Sequence, residues 1–217
     1  MGFTNFVLLV SSLLLAHSVF AIPLVRPLPD RVRRDVTLGE PTYGGSGCPS
    51  SSASTSLSPD GTSLSVIFDG FSVTAGGSSG RYFSRKNCDT SIPVTVPNGY
   101  RVAVVGIDYR GGISVPCGAF FDFTADYVWD GTQTPLFVQR FVGERTGDYT
   151  ISHEMNAEST SFSDCGASVT LRLDTAIQVT TNAASDQIDA TVDSIDASTV
   201  TGATNPGMVF YLTWEKC

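Results

Sequence analysis

The sequence predicts an all-β protein, and three observations support this fold class. Short apolar runs alternate with polar residues at a period of two, which is typical of half-buried strands. Gly, Pro, Asn and Asp, which favour turns, separate these runs. Hydrophobic residues make up 41% of the chain and charged residues only 16%, a balance typical of a globular domain. We therefore expect an antiparallel β-sandwich, with a jelly-roll-like or Greek-key topology and about 8 to 10 strands.

The first strands are expected shortly after residue 50. Leu64, Val66 and Phe68 alternate along one face of a short strand. The Ser-Pro-Asp-Gly sequence at 58–61 predicts a turn before it, because Pro fixes φ and Gly accepts a positive φ. A hairpin over residues 54–73 follows from this pattern.

A central strand is expected over residues 100–109. Both of its faces are apolar, with Val102 and Val104 on one and Val105 and Ile107 on the other. Strands that are covered on both faces have this composition. Further strands are expected over residues 92–96, 118–129, 136–143, 148–155, 168–180 and 208–214.

Two segments are typical of loops, the Gly- and Ser-rich residues 76–80 and the longer stretch 181–205. Within the second, Ile188, Val192 and Ile195 have the spacing of one face of a short helix. The first matches the Gly-x-Ser-x-Gly pattern of serine hydrolases, but that motif requires a strand before it and a helix after it.

The amino terminus predicts export and processing. An apolar run within residues 1–21 has the length and composition of a signal peptide, with cleavage expected after Ala21. Residues 22–34 end in paired arginines, which favours a propeptide that is removed after Arg34. Residues 35–217 are then expected to form a single secreted domain, which is long enough to bury a hydrophobic core.

The charge balance restricts the partners of the protein. Asp and Glu number 21 against 13 Lys and Arg, which gives a net charge of −8. Residues 1–34 contain four Arg and one Asp, so processing makes the remaining chain more acidic. Nucleic acid and membrane partners are not expected, because both present negative charge to an acidic surface. The apolar run is also too short to cross a bilayer.

One strand concentrates the candidate catalytic residues. Asp122 and Asp126 are spaced to share a face of strand 118–129, and Asp130 follows them. A pair of carboxylates is what glycoside hydrolysis requires. The neighbouring rings of Tyr127 and Trp129 also fit a carbohydrate-binding face. The alternative is an ordinary polar outer face of a strand.

A second candidate is the sequence Asp108, Tyr109 and Arg110 at the end of the central strand. It predicts either a structural ion pair around an aromatic residue or a ligand contact. No cofactor or metal site is expected, because the chain lacks closely spaced Cys or His ligands. The acidic residues between 186 and 196 do not have the spacing of a calcium loop.

Several motifs taken together resemble a known family. They are Gly-Ser-Gly-Cys-Pro at 45–49, Ser-Arg-Lys-Asn-Cys at 84–88, Gly-Asp-Tyr-Thr at 147–150, Cys-Gly-Ala at 165–167 and Leu-Thr-Trp-Glu-Lys-Cys at 212–217. In this order the chain resembles the mostly fungal, secreted family catalogued as domain of unknown function number 4360. The resemblance implies a small secreted β-rich domain with two disulfides, and it implies no activity.

Five cysteines leave one outside intramolecular pairing. The four that lie within family motifs are implied to form the disulfides, so Cys117 is implied to be the unpaired one, free or able to join a second chain. Among the four, we predict Cys48–Cys88 and Cys165–Cys217, since each bridge would tie a loose segment to the core. The oligomeric state stays open.

Two classes of function are consistent with these features. The first is a non-catalytic extracellular protein that binds a polysaccharide or a surface protein, in the wall of the producing organism or on a host as a virulence effector. The second is a secreted carbohydrate-active hydrolase or carbohydrate-binding module that uses Asp122, Asp126 or Asp130.

Overall fold

The fold is known from a computed structural model, which describes residues 27–217 except 51, 130, 156–159, 183–187 and 193–206. Fourteen strands lie in two seven-stranded sheets in which every pairing is antiparallel. This arrangement confirms the all-β sandwich. The strand count exceeds the expected one mainly because three strands of two or three residues add to the edges of the first sheet.

The elements follow one another in short steps. They are α1 (Asp30–Arg33), β1 (Thr37–Leu38), β2 (Thr42–Gly44), β3 (Ala53–Leu57), β4 (Ser63–Phe68), β5 (Phe71–Ala75), a 3₁₀ turn (Gly77–Ser79), β6 (Phe83–Thr95), β7 (Tyr100–Val115), β8 (Phe120–Trp129), β9 (Thr132–Gln133), β10 (Phe137–Val142), β11 (Arg145–Glu154), β12 (Val169–Thr180), β13 (Ile188–Val192) and β14 (Met208–Lys216).

The first sheet has the order β1-β6-β12-β8-β10, with β2 also paired to β6 and β9 to β8. Along β12, alternate residues such as Leu171, Leu173 and Ile177 are buried, and Asp174 between them is exposed. The alternation of side chains in a strand therefore gives this sheet one core face and one outer face. The outer face carries the candidate site.

The second sheet has the order β3-β4-β14-β7-β13-β5, with β11 also paired to β7. The sixteen-residue strand β7 has three partners in this sheet, as expected for a central strand. Its pairing with β14 shifts register between Tyr211 and Leu212. Aromatic rings join the two sheets, since Tyr109 of β7 lies 4.6 Å from Phe123 of β8 between ring centroids.

Two predictions of local structure need correction. Residues Ile188–Val192 form a strand that pairs with both β5 and β7, rather than part of a helical face. Ile195, the third residue of that predicted face, lies outside the described residues. The hairpin expected over 54–73 consists of β3 and β4 alone, because β5 pairs with β13 and leaves β4 paired to β3 and β14.

Two disulfides fix the ends of the domain. Cys48 is bonded to Cys88 with a Cα–Cα distance of 5.2 Å, and Cys165 to Cys217 with a distance of 6.2 Å. The first joins the segment before β3 to β6, and the second attaches the last residue to the loop before β12. Cys117 is exposed and free.

Candidate functional site

Three carboxylates form a row across the outer face of the first sheet. Asp174 of β12 lies directly opposite Asp89 of β6 on one side and Asp126 of β8 on the other. Directly opposed residues on adjacent strands have Cβ atoms about 5 Å apart. We call Asp89, Asp174 and Asp126 the carboxylate row.

The middle member of the row has an altered acidity. Partial burial, followed by repulsion from Asp89 and a hydrogen bond with it, raises the pKa of Asp174 above its ordinary value. Asp126 acts in the same direction, and Arg85 opposes it. Two carboxyl groups in hydrogen-bond contact favour holding a proton between them. Asp174 is therefore the member of the row that retains a proton most readily.

The row lies on the floor of an open groove with a volume of about 510 Å³. Strand β2 forms one rim, where Gly44 is opposite Asp89. A Cβ added at Gly44 would meet nothing within 4 Å, so the space above this residue is open. Arg172 and Val128 also line the groove, which gives it one cationic and one apolar contribution.

Two amide side chains support the outer members of the row. The Nε2 of Gln133 donates a hydrogen bond to Asp126 at 3.1 Å, and the Nδ2 of Asn87 donates one to Asp89 at 3.4 Å. These bonds orient the carboxylates from the sides and leave the groove above them open. The arrangement suits the acceptance of hydrogen bonds from a ligand that is rich in hydroxyl groups.

Asp122 does not belong to the groove, although it is on the same outer face as Asp126. The guanidinium of Arg140 engages both of its carboxylate oxygens, with Nη2 donating at 2.7 Å. Four residues along a strand also separate Asp122 from Asp126 by about 13 Å. That distance exceeds the carboxyl separation of either class of glycosidase. Asp130, the third predicted carboxylate, lies outside the described residues.

The aromatic residues that the sequence placed at a ligand face are in the core. Tyr127 and Trp129 are 4% and 2% exposed, and their polar atoms contact the Sδ of Met155 and the carbonyl of Val102. The reason is the alternation of the strand, which turns odd-numbered residues of β8 inward when Asp122 and Asp126 face outward. Neither ring is accessible to a ligand.

The Asp108, Tyr109 and Arg110 sequence is a structural feature. The Nη2 of Arg110 donates to Asp108 at 3.1 Å, and Asp108 also accepts bonds from Ser152 and Tyr211. Asp108 is therefore held by three neighbours on the outer face of the second sheet. Tyr109 points the other way, is fully buried, and is not available as a binding residue.

The described part of the chain does not assemble a serine-hydrolase site. His153, the sole histidine after residue 34, stacks on Phe137 with 4.4 Å between ring centroids. Burial lowers its pKa. Among the described residues, no group of three or more His, Cys, Asp or Glu is arranged to hold a metal ion. None of the helices described is long and apolar enough to cross a membrane.

These observations define a disulfide-bonded two-sheet β protein with a polar groove on one outer face. The chain belongs to the family described as Domain of unknown function DUF4360, whose model matches residues 34–217. An uncharacterized secreted protein of the fungus Arthroderma benhamiae is 29% identical over 192 residues, which cover 88% of this chain and 74% of the relative. The protein is secreted, as this relative is.

A solved structure also shares some geometry with the chain. It is that of TmCBM61 in complex with β-1,4-galactotriose, with 9% identity and a TM-score of 0.22 over 82% of this chain and 88% of that one. A TM-score this low has no bearing on the ligand of the present protein.

Of the residues in the groove, sequence reasoning identified only Asp126. Asp89 and Asp174 were missed, because their position depends on the register of β12 with β6 and β8. One signal was available, since Asp174 is the single acidic residue in an otherwise regular alternating strand.

Proposed function

We propose that the protein is a non-catalytic extracellular binding protein that holds a neutral, hydroxyl-rich wall polysaccharide in the groove above the carboxylate row. The observation that supports this most is the row itself, three acceptors spaced at the interstrand distance on the floor of an open groove. Sugar hydroxyl groups donate hydrogen bonds, and bonds to carboxylates are stronger than those to neutral acceptors.

Rigidity and charge favour the same kind of ligand. The row belongs to three adjacent strands of one sheet, so little conformational entropy is lost when a ligand binds. The three carboxylates and the net charge of −8 disfavour a polyanionic polysaccharide. A neutral glucan or chitin chain meets neither obstacle.

A second candidate function is hydrolysis of a glycan. The raised pKa of Asp174 is a property of general acids, and the opposite residue Asp126 is at about the separation found in retaining glycosidases. Against this, Asp174 is in hydrogen-bond contact with Asp89, which is closer than either glycosidase geometry. Binding without turnover is therefore the better-supported function.

The test uses a panel of insoluble wall polysaccharides and three variants. We expect the wild-type protein to co-sediment with at least one neutral polysaccharide. Gly44→Leu should abolish this binding, because it fills open space in the groove without a clash. Asp174→Asn should weaken it about tenfold, as expected for one charge-assisted hydrogen bond.

The matched control is Asp148→Asn, which removes the same charge from an exposed position on β11 of the second sheet. Equal loss of binding in Asp148→Asn and Asp174→Asn would show a nonspecific charge effect and overturn the proposal. Release of new reducing ends that Asp174→Asn and Asp126→Asn both abolish would instead establish the hydrolase.

A further inference from the structure

The segment that precedes the family domain is packed into it. Leu28 is 5% exposed and belongs to the hydrophobic core, and Val32 of α1 packs against the same core. The family match begins only at Arg34. The core of this chain is therefore completed by residues from the region expected to be removed by processing.

The position that Leu28 occupies lies beside Trp214 of β14. A Cβ at Gly61 would be 3.8 Å from Cδ1 of Leu28 and 4.0 Å from Nε1 of Trp214, so both side chains meet at this turn. The indole Nε1 of Trp214 donates to the carbonyl of Gly61 at 2.7 Å. We call the surface formed by Gly61 and Trp214 the leucine seat.

The dibasic sequence is closed into a helical turn. The backbone N–H of Asp35 donates to the carbonyl of Val32 at 3.0 Å, and that of Val36 to Arg33 at 3.2 Å. Arg33 also pairs with Asp30 at 3.2 Å. The side chains of Arg34 and Asp35 are exposed, but their backbone is held in the turn. A protease must open this turn before it can cut the bond between them.

We propose that residues 27–34 act as a masking segment, which fills the leucine seat in the precursor and exposes it when the chain is cut after Arg34. An endoprotease specific for paired basic residues adds one water across the Arg34–Asp35 peptide bond, leaving a carboxylate on Arg34 and an amine on Asp35. The freed segment is held by few contacts besides Leu28 and Val32, so it dissociates. The mature protein then has an apolar seat beside Trp214 that the precursor lacks.

This site is independent of the carboxylate groove. The leucine seat belongs to the turn between β3 and β4 and to β14, all in the second sheet, while the groove lies on the outer face of the first. Failure of either proposal leaves the other in place.

The first test measures the rate of cleavage after Arg34 in folded precursor, secreted from the full-length coding sequence by a yeast that lacks the dibasic protease. Leu28→Ala should raise this rate roughly tenfold or more, because burial of a leucine side chain holds the turn closed and cleavage follows the population of the open form. Val179→Ala is the control, since it removes buried apolar atoms of β12 in the other sheet. Equal rates in Leu28→Ala and wild type, or no cleavage after Arg34 even in unfolded chain, would overturn the proposal.

The second test reports on the seat directly. The chain has two tryptophans, so Trp129→Phe leaves Trp214 as the sole indole fluorophore. Acrylamide should quench Trp214 more strongly after protease treatment, because the indole is 3% exposed while Leu28 covers it. The same treatment of Trp129→Phe with Arg34→Ala should cause no change. Unchanged quenching in a chain shown to be cut after Arg34 would refute the unmasking.

Discussion

At the scale of single residues, Asp174 lies between two other carboxylates on neighbouring strands. Its pKa is raised by partial burial and by Asp89, so the folded protein favours its protonated form. Asp122, four residues from Asp126 on the same face, is instead neutralised by Arg140. Two aspartates on one strand thus differ in role because only one of them has a cationic partner.

The pH dependence of stability tests this difference. A carboxyl group with a raised folded-state pKa favours folding below its unfolded pKa of about 3.9, and that contribution is lost as the pH rises through the folded value. We expect Asp174→Asn to match wild type near pH 3 and to be more stable at pH 7 by a few tenths of a kcal/mol, since solvent screens an exposed group. Chemical denaturation at both pH values measures the change. A variant less stable than wild type at pH 7 would contradict the assignment.

At the scale of elements, the segment before β3 is held against the core at Gly47. The N–H of Gly47 donates to the carbonyl of Asn87 at 2.7 Å, next to the disulfide of Cys48. A Cβ at this position would overlap the ring of Phe71, which is 1% exposed. Gly47 is therefore required by the close approach of backbone to ring.

Substitution of this glycine should be costly. We expect Gly47→Ala to lower the free energy of unfolding by about 2–3 kcal/mol, because the buried ring of Phe71 has little room to move. Gly44→Ala is the control, since its Cβ would enter open space and should change stability by less than about 0.5 kcal/mol. Thermal or denaturant unfolding of both variants gives the comparison. Equal effects would show that the contact with Phe71 is unimportant.

The elements also show how far the sequence could predict the structure. Strands such as β4 and β7 were predictable from alternation and turn residues, which are local properties. Residues Ile188–Val192 were misread because apolar residues at this spacing fit a helix, and only pairing with β5 and β7 decides for a strand. The inward direction of Tyr127 and Trp129 could have been read from their parity with Asp126. The meeting of Asp126 with Asp174 could not, because it depends on strands far apart in sequence.

At the scale of the whole molecule, each sheet has a distinct outer feature. The first carries the carboxylate groove, and the second carries the leucine seat that residues 27–34 cover. The two disulfides attach the segment before β3 and the final residue, which leaves the sheets as a rigid support. Chain-entropy arguments assign roughly 4 kcal/mol to each bridge, so both are large relative to the stability of a typical domain.

The central claim is that a polysaccharide binds in the groove on the first sheet. Titration of isotope-labelled protein with a soluble oligosaccharide of the polysaccharide that it sediments with tests this claim most directly. Amide chemical shifts of Gly44, Asp89, Asp126 and Asp174 should move together and saturate, while those of β11 stay unchanged. Shifts confined to the second sheet, or spread evenly over both sheets, would contradict the assignment of the groove as the binding site.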